Sequence, residues 1–76
     1  MNEVLINQEN IGRVIREART RKGLSQPELA RRVGVTQPDI SDIERGERNN
    51  LTLKMLDRLA RALDMEVLVR LPESDR

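Results

Sequence analysis

The stretch from Ser25 to Glu44 carries one local signal twice, as Ser25-Gln26-Pro27-Glu28 and Thr36-Gln37-Pro38-Asp39. A Ser or Thr hydroxyl at a helix N-cap accepts a hydrogen bond from the backbone N–H of the third helical residue. An acid at that third position reaches back to the cap's own N–H. Proline is tolerated in the first turn, where its missing N–H has no intrahelical partner to lose. Between the two starts lies Gly34, the residue type that most readily ends a helix in a left-handed conformation. The spacing predicts two short helices, about 26–33 and 37–45, joined by a tight turn.

The rest of the composition narrows what such a unit can do. Seventy-six residues make a single domain, 1–76, with a small core and marginal stability. The chain has no Cys and no His, so it lacks thiolate sites, disulfides and the commonest metal ligand and general base. No metal or other cofactor is expected. Phe, Tyr and Trp are absent too, which removes the platforms on which single-stranded nucleic acids stack. The net charge of +1 is unevenly spread: residues 11–48 hold nine Arg or Lys against six Asp or Glu, whereas 49–76 hold five of each. The basic excess falls on the paired helices and the segment before them, which suits phosphate contacts. Ordinary solvated helix faces would give the same charge pattern. No apolar run approaches the roughly 20 residues of a membrane span, and no signal peptide is evident, so the expected place is the cytoplasm, on the nucleoid, with no membrane partner.

In chain order, Asn7 is a candidate cap for a first helix of about 8–22, with Ile6 and Ile11 at the spacing of a hydrophobic staple. Ile11, Val14, Ile15 and Ala18 form its apolar stripe, and Gly23 ends it. Gly12 inside this helix costs roughly 1 kcal/mol against Ala, which points to close packing there. Leu29, Ala30 and Val33 are the buried side of the second helix. In the third, Ile40 and Ile43 share one face, while Pro38, Ser41, Asp42 and Arg45 lie opposite, with Gln37 at the edge. Thr52 caps a fourth helix of about 53–63, with Leu56, Leu59, Ala60 and Leu63 at helical spacing. Asp64 stands where a glycine would be expected. The period then changes to two over Met65–Leu71, which predicts a strand of about 65–71 ended by Pro72. A lone strand needs a partner. Residues 3–6 are a candidate within the chain, and a second copy pairing through Met65, Val67, Leu68, Val69 and Leu71 is the simpler one.

Gln26, Ala30, Gly34, Val35, Ile40, Ile43, Glu44 and Gly46 resemble the phage-repressor/Cro type of helix-turn-helix, over about Ile11 to Leu63. The order of elements with the added strand is similar to HipB-type antitoxins. The resemblance implies a mainly α, four- to five-helix domain with a C-terminal β-strand that pairs across a dimer. It implies base reading in the major groove of double-stranded DNA from Gln37, Pro38, Ser41 and Asp42. Phosphate contacts are assigned to Gln26, to Arg16 or Arg13, and to Arg45, Arg48, Asn49 and Asn50. In this family the glutamine opening the second helix also braces the first residue of the third, and Gln26 and Gln37 match those positions. Arg19 and Glu44 match the family's structural ion pair. Pro38 departs from the pattern, with no polar side chain where relatives often carry a base reader. Asp39 and Asp42 place negative charge near the phosphates and should lower non-specific affinity.

The implied function is a homodimeric repressor on a palindromic operator. The HipB likeness implies the antitoxin of a type II toxin–antitoxin pair, with a kinase-like toxin as partner and control of its own operon. The alternatives are a stand-alone phage-like or restriction–modification controller, or an adaptor using the fold to bind protein. No enzyme is expected: the serines at 25, 41 and 74 have no histidine to activate them.

Overall fold

Four helices account for the regular structure among the described residues, 6–7, 9–48 and 51–68 of a computed structural model. They are α1 (Ile11–Arg21), α2 (Gln26–Val33), α3 (Gln37–Glu44) and α4 (Leu53–Ala62). Both repeated motifs form complete capping boxes. Ser25 Oγ accepts from the Glu28 N–H while Glu28 accepts from the Ser25 N–H, at 3.1 and 2.7 Å. Thr36 and Asp39 do the same at 3.2 and 3.1 Å. Thr52 caps α4 through the Met55 N–H at 3.1 Å.

The first helix begins later than its sequence suggests. Its regular hydrogen bonding runs from Ile11 to Arg21 rather than from about 8 to 22. Asn7 still does a cap's work one turn earlier. Its Oδ1 accepts from the Asn10 N–H at 3.0 Å, and Asn10 Oδ1 accepts from the Asn7 N–H at 2.8 Å. This closed polar turn satisfies the local backbone before the apolar stripe starts, so the continuous helix waits for Ile11. The ends expected at 45 and 63 are the C-caps Arg45 and Leu63, one residue past the last helical position of α3 and α4.

Helix exits use one hydrogen-bond pattern with different residues. After α2, Gly34 at φ 89° lets the Val35 N–H turn back to the Ala30 carbonyl at 3.0 Å. After α4, Asp64 takes the same left-handed conformation at φ 56°, and the Met65 N–H bonds the Ala60 carbonyl at 2.7 Å. A Lys22–Asp64 ion pair links the ends of α1 and α4 beside that turn. Met65 therefore belongs to the cap of α4, not to the start of a strand. Met65, Val67 and Leu68 form no strand in the single chain, because a strand is defined by the partner it bonds to. Val69 and Leu71 lie outside the described residues, as do residues 3–5. The alternation itself persists, with Met65 and Val67 half-buried and Glu66 and Leu68 exposed.

The core sits where α2, α3 and α4 meet α1. Leu29, Ile40, Ile43 and Leu59 are its largest fully buried side chains, with Ile11, Ile15, Ala18, Ala30, Val33 and Leu63 around them. Gly12 sets the approach of α1 to α3. A Cβ there would lie 2.5 Å from the Ile43 carbonyl oxygen and 2.6 Å from that of Glu44. A small apolar cavity lies between α1, α4 and the final segment, lined by Ile6, Ile11, Val14, Leu56, Met65 and Val67 among others. Ile6 and Ile11 share this wall, as the staple spacing requires.

Candidate nucleic-acid interface

The third helix is held by one face and displays the other. Ile40 and Ile43 are 0% and 1% exposed, against Leu29 and the rest of the core. Gln37 and Pro38 are exposed on the far side, with Ser41 and Asp42 half-buried beside them and Arg45 exposed one turn on. The proline that sequence reading flagged as a departure occupies the second helical position, where it cannot interrupt the ladder and leaves a smooth apolar surface.

A buried carboxylate ties this surface to the core. Glu44, 8% exposed, accepts from Arg19 Nε and Nη2 at 2.6 and 3.0 Å. The two-pronged bond raises the Arg19 pKa above its ordinary value, against the opposing effect of burial. Arg19 Nη1 also donates to the Leu24 carbonyl at 2.8 Å, so one guanidinium joins α1, the loop before α2 and α3. The ion pair expected between Arg19 and Glu44 is thus present.

The network continues outward from Glu44. Gln26 Nε2 donates to Glu44 Oε1 at 3.0 Å, and Gln26 Oε1 accepts from Gln37 Nε2 at 2.8 Å. The first residues of α2 and α3 are therefore bridged side chain to side chain, and both helix starts open on one surface. The Gln26–Gln37 bridge is the one that the family resemblance implies, whereas the Gln26–Glu44 bond spans 18 positions, depends on how α2 and α3 cross, and has no signal in the sequence.

The basic groups divide differently from their sequence assignment. Arg45 Nη1 donates to Ser41 Oγ at 2.6 Å, and its Nη2 faces Asp42 Oδ1 at 2.6 Å and Glu47 Oε1 at 3.2 Å. Ser41, Asp42 and Arg45 are one cluster, and Asp42 positions an arginine as well as facing outward. This was legible as a three- and four-residue helical spacing. Arg48 Nη1 lies 3.7 Å from Asp39 Oδ1, which folds the segment after α3 back onto its first turn. Asp39 is held below the usual carboxylate range, first by the Thr36 backbone N–H, then by the Thr36 hydroxyl and Arg48. Arg13 pairs with Glu17 at 3.5 Å. Arg16 is exposed on α1, and no described contact ties it to the α2–α3 surface. Asn49 and Asn50 lie outside the described residues.

Arg58 has a role that no local pattern in the sequence signals. From α4 its Nη2 donates to the Val33 carbonyl at 2.6 Å, satisfying the end of α2. The same nitrogen would sit 2.7 Å from a Cβ on Gly34. Gly34 is thus required for its left-handed backbone, and a Cβ there would also push the flexible end of Arg58 off the Val33 carbonyl.

Residues 15–68 match the helix-turn-helix family, a span that takes in the whole α2–turn–α3 unit. The chain belongs to the helix-turn-helix family. It is 37% identical over 65 residues to the transcriptional regulator SinR of Bacillus licheniformis, covering 86% of this chain and 59% of that protein. Against SinR of Bacillus subtilis the identity is 36% over 63 residues, covering 83% and 57%. This chain therefore spans a little under three fifths of the length of these SinR relatives. Among solved structures, the restriction–modification controller protein C.AhdI from Aeromonas hydrophila superposes with a TM-score of 0.73 at 42% identity, over 78% of this chain and 88% of that one. SinR, a master regulator for biofilm formation, crystallised in complex with DNA, superposes with a TM-score of 0.70 at 36% identity, over 74% and 89%. The helix-turn-helix unit and the helices that frame it are the shared part. Among the described residues, no helix is long and apolar enough to cross a membrane.

Proposed function

We propose that this chain is a transcriptional regulator that binds double-stranded operator DNA as a homodimer, with α3 in the major groove. The observation that carries the reading is the 2.8 Å bridge between Gln37 and Gln26. It sets the start of α2 and the exposed face of α3 on one surface, so groups suited to phosphate and to base edges face the same way. In this reading Gln37, Pro38, Ser41 and Asp42 meet bases, and Gln26, Arg45, Arg48 and the capped helix starts meet phosphates. Asn49, Asn50 and Arg16 extend the phosphate set from the flanks.

The relatives favour a stand-alone regulator or restriction–modification controller over an antitoxin. SinR is a transcriptional regulator and C.AhdI a restriction–modification controller, whereas the antitoxin reading, with its kinase-like toxin, rests on the C-terminal strand. Such a regulator works on the nucleoid in the cytoplasm and needs no cofactor.

The test is a titration of the chain against its own upstream DNA and a scrambled duplex at several salt concentrations, read by fluorescence anisotropy. The expected result is tighter binding to the upstream fragment, with log K falling linearly in log salt at about −0.9 per phosphate contacted. Binding that is absent, or equal on both duplexes and insensitive to salt, would return the chain to the adaptor reading.

A further inference from the structure

We propose that Glu44, buried behind the reading surface, determines which purine Gln37 prefers by fixing the direction of a relay of hydrogen bonds. This rests on the reading of Gln37 as a base contact. A carboxylate accepts and cannot donate, and Glu44 already accepts twice from Arg19 at 2.6 and 3.0 Å. Gln26 must therefore turn its amide nitrogen to Glu44, as its 3.0 Å contact shows. That leaves the Gln26 carbonyl oxygen facing outward. Gln37 can meet it only as a donor, which is the 2.8 Å bond from its Nε2. One N–H and the carbonyl oxygen of Gln37 remain for a ligand.

One donor beside one acceptor matches adenine, which offers N7 as an acceptor and N6–H as a donor. It does not match guanine, whose N7 and O6 both accept. The choice of adenine over guanine is thus made three side chains away from the base, at a residue that touches no DNA. Glu44 is a positioning residue in this scheme, and Gln26 carries its polarity.

Removing the charge at the root should free the tip. Glu44 Oε1 accepts from both Arg19 Nη2 and Gln26, and Oε2 accepts from Arg19 Nε. The amide of Glu44→Gln turns its nitrogen towards one Arg19 N–H in either orientation, so neither orientation is enforced. With nitrogen at the Oε1 position, Gln26 flips and presents its own nitrogen to Gln37. Gln37 then accepts with its oxygen and keeps two N–H groups for the base, the pattern that guanine satisfies. Gln26→Leu provides a second route. It leaves the Arg19–Glu44 pair intact and frees the Gln37 amide to take either direction.

The experiment selects binding sites from randomised duplexes with the full wild-type chain and with the Glu44→Gln, Gln26→Leu and Gln37→Ala variants. Thermal melting checks that each is folded. The wild type is expected to prefer adenine over guanine by about five-fold or more at the base pair whose preference Gln37→Ala abolishes. Glu44→Gln should move that position from adenine towards parity with guanine and leave the other positions unchanged. Gln26→Leu should bring adenine and guanine near parity, even if overall affinity falls. A merely structural Glu44 would weaken all sequences alike and leave the ratio untouched. If Gln37→Ala abolishes the preference but the ratio survives in a folded Glu44→Gln and in Gln26→Leu, the relay is wrong and the base contact stands. Should Glu44→Gln fail to fold, the ratio in Gln26→Leu alone decides. If Gln37→Ala changes no preference, the base assignment itself fails and the relay with it.

Discussion

Asp39 shows how much one side chain is asked to do at the entrance to α3. Its carboxylate closes the capping box on the Thr36 N–H at 3.1 Å and faces Arg48 across 3.7 Å. Both favour the charged form, so its folded pKa is lowered below the ordinary value, with the Thr36 backbone bond the larger cause. Glu28 is lowered in the same way, chiefly by the Ser25 backbone N–H. A lowered folded pKa means stability that is fully present above the unfolded value of about 4 and is lost as pH falls through the folded one. Asparagine at 39 can still accept from Thr36 but cannot titrate. Urea midpoints measured from pH 7 down to pH 2 should therefore fall more shallowly below about pH 4 in Asp39→Asn than in the wild type. Identical acid limbs would mean that Asp39 is equally stabilised in the unfolded chain.

Between elements, distances replace propensities. The approach of α1 to α3 is limited by the absence of a side chain at Gly12, where a Cβ would meet two backbone oxygens at 2.5 and 2.6 Å. Backbone at a helix end cannot swing aside as a flexible side chain would. Gly12→Ala gains about 1 kcal/mol in helix propensity, yet overpacking against rigid neighbours costs typically 1–3 kcal/mol or more. Contacts this short with backbone call for the upper end of that cost, so the net expectation is destabilisation by about 2 kcal/mol, a drop in Tm of roughly 8–16 °C for a domain this size. Differential scanning calorimetry measures it, and a Tm at or above the wild type would show that α1 can move off α3 without loss. Gly12 also marks the limit of what the sequence discloses. A glycine inside an apolar stripe says that something comes close, but not that it is the Ile43 and Glu44 carbonyls. The capping boxes, the turn at Gly34 and the left-handed Asp64 were legible because each is decided within about five residues. The start of α1 was misplaced because Asn7 and Asn10 build a cap-like turn that precedes the regular helix. The Arg58–Val33 and Gln26–Glu44 bonds, spanning 25 and 18 positions, follow from how helices cross, and no periodicity carries that. Arg19 and Glu44 were paired only through a family resemblance.

For the whole molecule, the proposed homodimer raises the question of how one reading surface would acquire a symmetric partner. The final segment leaves α4 at Asp64, keeps Met65 and Val67 half-buried along the apolar cavity, and exposes Leu68. Exposed Ile6 and Leu53 add apolar surface in a chain whose own core is small. A second copy covering this side would place two recognition helices about an axis, as a palindrome requires. The location of Met65 in the α4 cap decides where a truncation can be made. Cutting after Glu66 keeps the Met65–Ala60 bond that closes the helix and removes Val67 onward. The truncated chain should remain folded by circular dichroism yet sediment as a monomer at concentrations where the full chain is expected to dimerise. Because phosphate contacts set the salt slope at about −0.9 each, a monomer on a half-site should show about half the slope of the dimer on its full operator. A truncated chain that sediments as a dimer would exclude the segment from Val67 onward as the interface. A monomer that keeps the full slope would mean that one copy makes all the phosphate contacts and the second is not needed for reading.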